Sequence, residues 1–189
     1  MPFSHSRQIS SIVGYAEELQ PQSVLDVGVG MGQYGFLLRT NLENINLFDI
    51  NGAGATQRHR RGWSRVIDGV EGFAAYLTPV HDYAYNRVLI GDAIAVVSEM
   101  PDASYELVLA VDILEHFTKD DGYRFLRECT RVCSKSVLVS TPKNFVAQDV
   151  AANPLENHRS HWTQAELVSA GFNMVRHDLE SWIAIHERA

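Results

Sequence analysis

The sequence predicts an α/β fold: a doubly wound, mostly parallel sheet of seven strands that closes with a C-terminal antiparallel hairpin. Three observations lead there. Five nearly continuous apolar runs, SVLDVG (23–28), SRVIDGVE (64–71), NRVLIGDA (86–93), YELVLAVD (105–112) and KSVLVSTP (135–142), alternate with helix-like stretches. Strands without a polar face belong to a parallel sheet covered on both sides. The first run breaks into a glycine-rich loop, VGMGQYG, followed by a helical apolar face in FLLRTNL. Near the end, FNMVRHD and SWIAIHE alternate polar with apolar residues around a turn at Leu179 and Glu180, the pattern of a hairpin.

The remaining elements follow from spacing and punctuation. Ile9, Ile12, Val13, Ala16 and Leu19 fall on one helical face before Pro21, which predicts a helix over residues 6–20. Phe125, Leu126, Cys129, Val132 and Cys133 share a face and predict a helix over 121–133. Thr163 followed by Glu166 is a capping box, and Gly171 supplies a stop, so TQAELVSAG forms a short helix. Residues 40–64 are polar, contain NGAG and carry the basic run Arg58, His59, Arg60 and Arg61; they read as a long excursion from a single domain spanning 1–189. That basic run either grips an anionic group or is a solvated loop face.

Composition narrows the class. With 189 residues, 46% of them hydrophobic, the chain is long enough for one substantial core. A formal net charge of -7 argues against general nucleic-acid binding or an anionic membrane partner, which basic surfaces serve. Cys129 and Cys133 do not form a C-x-x-C pair and read as small core residues. MPFSHSRQIS has neither a charged nor an apolar targeting region, and no run approaches the ~18 apolar residues of a membrane span, so a cytoplasmic location is expected. Nothing in the sequence indicates the oligomeric state.

Function is concentrated at the strand ends. Gly30, Gly32 and Gly35 fit the G-x-G-x-x-G loop that brings backbone N–H groups to a pyrophosphate. Asp26, just ahead of them, contradicts that ligand, because a carboxylate near a doubly anionic group is unfavourable in a low dielectric. A cationic, phosphate-free ligand removes the conflict. Leu25, Asp26, Gly28, Gly30 and Gly32 form hydrophobic-D-x-G-x-G-x-G, which closely resembles motif I of the class I S-adenosylmethionine-dependent methyltransferases. The chain further resembles that family in RVIDGVEGF, NRVLIGDA and YELVLAVDILEHF, in the family's order, and the resemblance runs from about Gln22 onward.

The resemblance implies a Rossmann-like fold, S-adenosylmethionine as methyl donor and S-adenosylhomocysteine as product. It implies that Gly28, Gly30 and Gly32 approach the methionine and ribose portions, that Asp26 supports the loop and helps bind the amino group, and that Glu71 accepts both ribose hydroxyls. Asp92 would accept from the adenine amino group while Ala93 offers its N–H to the ring, and Asp112 would wall the pocket. One departure from the family concerns spacing. The acid of the second strand usually lies about 20 residues beyond the glycine loop, where Asp49 stands, but VIDGVE supplies the better buried strand and favours Glu71.

For the acceptor, the family's D-x-L-E-H places Asp112, Glu115 and His116 at the fourth strand end. His116 is the candidate base should the acceptor have a proton to lose, and Glu115 and His116 otherwise hold loop backbone. NPLENHRSHW (153–162) follows the fifth strand, where the family commonly builds its acceptor pocket, and offers His158, Arg159 and His161 as substrate contacts, with Glu156 and Trp162 beside them. His158 and His161 have H-x-x-H spacing, but no third ligand is visible in the sequence and no metal is expected. The sequence therefore predicts a methyltransferase for a small-molecule acceptor. Its rivals are a nicotinamide-dependent oxidoreductase and a non-catalytic binding module of the same fold.

Overall fold

A computed structural model of the chain describes residues 6–43, 48–52, 54–59, 62–176 and 178–188. Its elements are α1 (Ser6–Leu19), β1 (Ser23–Val27), α2 (Gln33–Leu42), β2 (Phe48–Asn51), β3 (Gly54–Gln57), β4 (Val66–Glu71), α3 (Pro79–Ala84), β5 (Arg87–Ile90), α4 (Ala93–Ser98), β6 (Tyr105–Val111), α5 (Lys119–Val132), β7 (Cys133–Pro142), α6 (Gln164–Ser169), β8 (Met174–Arg176) and β9 (Ser181–Glu187). Seven strands form one sheet in the order β5-β4-β1-β6-β7-β9-β8. The first five are parallel, and β9 runs antiparallel to both of its neighbours.

Strand alternation divides the core between the two faces of the sheet. Val24, Ile67, Leu107, Leu109 and Leu138 point toward α1, α2 and the Ala84–Tyr85 end of α3. Leu25, Val70, Val108, Ala110 and Val137 point the other way, against α4, α5 and α6. On α5, Phe125, Leu126, Cys129 and Val132 are all buried, and Thr118 caps the helix start by accepting from the N–H of Asp121. Cys129 and Cys133 are buried free thiols, although Cys133 opens β7 rather than closing α5. The Thr163 and Glu166 capping box forms in both directions.

The excursion takes a form that the sequence left open. Helix α2 runs on to Leu42, and β2 and β3 then pair as a separate, exposed antiparallel hairpin. Asp49 lies on that hairpin and pairs with Arg58 at 2.6 Å. Arg60 and Arg61 of the basic run lie outside the described residues. Just beyond, Arg39 and Glu43 form a fully buried ion pair that also ties down Ser64 and Arg65, which fixes where the excursion rejoins the sheet.

Order reverses between β1 and β6: the chain moves outward through β4 and β5 on one side and through β7 on the other. A crevice at the carboxyl ends of these strands is where such sheets receive ligands. Two glycines test how tightly its floor is packed. A Cβ on Gly35 would stand 2.0 Å from the Tyr85 ring, whereas a Cβ on Gly14, within α1, meets nothing within 4 Å. Gly35→Ala is expected to lower stability by at least about 1–3 kcal/mol through overpacking, and Gly14→Ala to raise it by about 0.5–1 kcal/mol through helix propensity. Denaturant unfolding of both variants measures the two signs.

Candidate active site above the first strand

Four strand ends build one crevice of about 340 Å³. From β1 come Gly28, Val29 and Gly30; from β4, Val70, Glu71 and Gly72; from β5, Asp92 and Ala93; and from β6, Val111, Asp112, Ile113 and His116. The segment after β7 closes the opening with Asn153, Leu155, Glu156 and Arg159. Sheet connectivity alone brings these residues together, since the parallel strands all end on the same side.

Glu71 ends β4, and its carboxylate accepts from the N–H of Gly30 at 2.9 Å and of Phe73 at 2.8 Å. Burial holds its carboxyl above the usual range, aided by the charge of Glu156, while the backbone donors oppose the shift. The Gly30 loop is thus fastened to the neighbouring strand. Its carbonyl is fastened too. Thr78 donates its N–H to His81 Nδ1 at 2.9 Å, so the proton of that ring sits on Nε2, which donates to the Gly30 carbonyl at 3.1 Å. Gly28, Gly30 and Gly32 all have positive φ, a conformation that a side chain would strain.

Two loop assignments need correction. Asp26 is buried and lies outside the crevice lining; Tyr85 donates to it at 2.6 Å and accepts from the N–H of Gly35 at 3.1 Å. Asp26 shares the pleat face of Val24 and so points down into the α2 and α3 layer, not up toward the amino group of a ligand. Gly32 is not in the lining either. It caps α2 and packs on Val80 and His81.

On the far side, Asp92 caps α4 by accepting from the N–H of Ala95 at 2.9 Å, which turns the remaining carboxylate lone pairs toward the crevice beside Ala93. Asp112 has φ +50, unusual for a non-glycine residue, and is gripped by Gln8 from α1 at 2.6 Å and by Ser140 at 3.0 Å. Glu115 is buried, and its carboxylate accepts from Thr141 at 3.0 Å. Burial, then the charge of Asp112, push it up to about 8. His116 lines the crevice, and burial lowers its pKa below the ordinary value.

The 153–162 segment divides. Arg159 faces the crevice, and His158 stands behind it with its ring 5.1 Å from that of His116. His161 turns away to the Lys143 carbonyl at 2.7 Å, so it is not a crevice residue, and residues 158–161 are not helical, which leaves the H-x-x-H pair unassembled. Trp162 is fully buried and donates to the Leu114 carbonyl and to Ser160. Residues that the sequence did not single out include Tyr85, His81 and Gln8 beneath the crevice and Tyr76, Asn153 and Arg124 in its lining. The first three come from elements remote in sequence, and only the T-x-x-H spacing of Thr78 and His81, a capping box in the structure, carried any signal.

With this geometry in view, comparison with known proteins decides the family. The model of a family described as a methyltransferase domain matches residues 25–141, more than half of the chain. The chain belongs to the class I S-adenosylmethionine-dependent methyltransferases. A methyltransferase dependent on S-adenosylmethionine from Archaeoglobus fulgidus has a similar structure, with 13% identity and a TM-score of 0.61 over 97% of this chain and 95% of that one. Magnesium protoporphyrin IX methyltransferase from Synechocystis, solved with S-adenosylhomocysteine bound, is similar with 15% identity and a TM-score of 0.62 over 96% and 82%. A candidate O-methyltransferase from Nostoc punctiforme gives 18% identity and a TM-score of 0.62 over 95% of this methyltransferase, which spans only 55% of that chain. At these identities the likeness is one of fold. A comparison with curated protein sequences finds no match.

Within this methyltransferase the Asp26 carboxyl provides a test of the packing under the loop. Burial pushes it up to about 7, against the lowering effect of the Tyr85 hydroxyl. A carboxyl raised in the folded state stabilises most below its unfolded pKa of about 4, and that contribution is lost as pH rises through its folded value. Relative to Asp26→Asn, the parent protein is therefore expected to lose stability between about pH 4 and pH 8, by an amount on the order of 4 kcal/mol. Unfolding free energies of the two proteins across that range measure it; parallel curves would contradict the assignment.

Proposed function

We propose that this chain binds S-adenosylmethionine in the crevice above β1 and transfers its methyl group to a small acceptor held against His116 and Arg159. One observation carries the reading most directly: Glu71 lies at the end of β4 in the crevice wall, its two oxygens already oriented by the Gly30 and Phe73 N–H groups. A carboxylate so placed has lone pairs left for the two hydroxyls of a ribose. Asp92 and Ala93 then flank the adenine, and Gly28 and Gly30 bring bare backbone to the methionine portion. Asp112, held by Gln8 and Ser140, adds negative charge beside a ligand that carries an ammonium and a sulfonium.

Methyl transfer from a sulfonium is an in-line displacement. The acceptor's electron pair forms the new bond to carbon, the carbon–sulfur bond breaks, and its electrons return to sulfur as a neutral thioether. Much of the rate comes from alignment. The loop after β7 is placed to provide it, since the N–H groups of Arg159 and Ser160 both donate to the Glu115 carbonyl and fix the loop against the end of β6. A cytoplasmic site of action agrees with the absence, among the described residues, of any helix long and apolar enough to cross a membrane.

Calorimetry with S-adenosylmethionine, S-adenosylhomocysteine and NAD tests the proposal. The first two are expected to bind and NAD is not. Glu71→Ala should weaken binding by roughly 100-fold, the cost of two hydrogen bonds to a charged group, while Asp49→Ala on the outer hairpin should leave it unchanged. The reverse pattern would move the ribose site to the hairpin and end the reading. Release of S-adenosylhomocysteine that depends on an added acceptor separates an enzyme from a binding module.

A further inference from the structure

Glu115, His116 and His158 each bring one ligand-type atom into a group whose members all lie within 4.8 Å of one another. The sequence offered His158 with His161, a pair that the structure separates; the two further ligands, Glu115 and His116, come from just past the end of β6. We propose that these three side chains bind a divalent first-row transition-metal ion in the wall of the crevice, with coordination positions left open toward it.

The second shell of contacts supports the assignment. His116 Nδ1 faces the Asn157 carbonyl at 3.3 Å, and His158 Nδ1 faces the Val146 carbonyl at 2.6 Å. A carbonyl only accepts, so each ring keeps its proton on Nδ1 and presents an Nε2 lone pair, the arrangement that orients metal-bound histidines elsewhere. Thr141 donates to one oxygen of Glu115, and a carboxylate has further lone pairs to offer a metal. Bonds of ~2.0–2.1 Å in a tetrahedron place ligand atoms roughly 3.3 Å apart, so the three side chains must close in when an ion binds.

Two imidazoles and one carboxylate favour zinc, cobalt or iron(II) over magnesium or calcium, which prefer oxygen ligands alone. Three protein ligands leave room for water or an oxygen atom of the acceptor. His116 itself lines the crevice and is the ligand that joins such a site to the cavity. With the ion bound, the His116 lone pair is a ligand and no longer the proton acceptor that the sequence suggested.

The test reads ion binding without the methyl donor, so its outcome is independent of the function proposed above. The chain of 189 residues, freed of any histidine tag, is titrated with Co²⁺ and Zn²⁺ and followed by d–d absorption and calorimetry. About one equivalent of ion is expected, with visible absorption that is intense enough for four or five coordination. His158→Ala and, separately, His116→Gln should weaken binding by at least about 100-fold, and His161→Ala should leave it unchanged. Absence of stoichiometric binding to the parent protein, retention of affinity in both ligand variants, or loss in His161→Ala would each overturn the proposal.

Discussion

One buried ring sets the floor on which the site rests. Tyr85, just past α3, lies under the glycine loop with its hydroxyl bonded to both Asp26 and the N–H of Gly35. The space it fills exists because two neighbours have no side chain: a Cβ on Gly35 would stand 2.0 Å from the ring, and one on Gly69 would stand 3.1 Å from it and 2.6 Å from Val29. A buried carboxylate with no partner would be costly. Here a phenol meets it, and the same bond holds the Tyr85 proton firmly, with burial first and Asp26 second raising its pKa far above the ordinary value. Strand β1, strand β4 and helix α2 are thereby locked together directly below the loop.

The fold was legible because its signals are local. Continuous apolar strands, the glycine break after Val27 and the Thr163 and Glu166 box each arise within a few residues. Glu71 could be preferred to Asp49 on the same ground. VIDGVE reads as a buried strand, while the structure shows Phe48 and Asp49 within an exposed hairpin that stands apart from the seven-stranded sheet.

Asp26 lies under the loop and outside the crevice lining for a reason that the sequence does contain. Side chains two apart in a strand share a face, and Val24 belongs to the layer that contains α1, α2 and Tyr85. An acid at that parity props the loop from below, and the third glycine of the G-x-G-x-x-G pattern serves the same ring, not a pyrophosphate. The histidines were harder. His158 and His161 suggest a pair only if their segment is helical, and it is instead an extended loop pinned by backbone bonds to Glu115 and by Trp162 on Leu114. Which histidine meets His116 depends on that pinning, and no linear spacing records it.

The carboxylates around the crevice share a further property. Glu71 is set by two backbone N–H groups, Asp92 by the start of α4, and Asp112 by Gln8 and Ser140. Each keeps some of its lone pairs, but none is free to turn. The cost is visible at Asp112, whose positive φ is worth about 1–3 kcal/mol of strain and persists only when surroundings over-determine it. They do so here: its N–H donates to the Ser140 carbonyl, and Gln8 reaches in from α1, donating to its carboxylate and accepting from the Ser140 hydroxyl beside it. Strain at this strand end is thus offset by a helix from the start of the described chain. Reorganisation that a flexible carboxylate would need when a cation arrives has been met during folding, which leaves more of the binding energy for alignment.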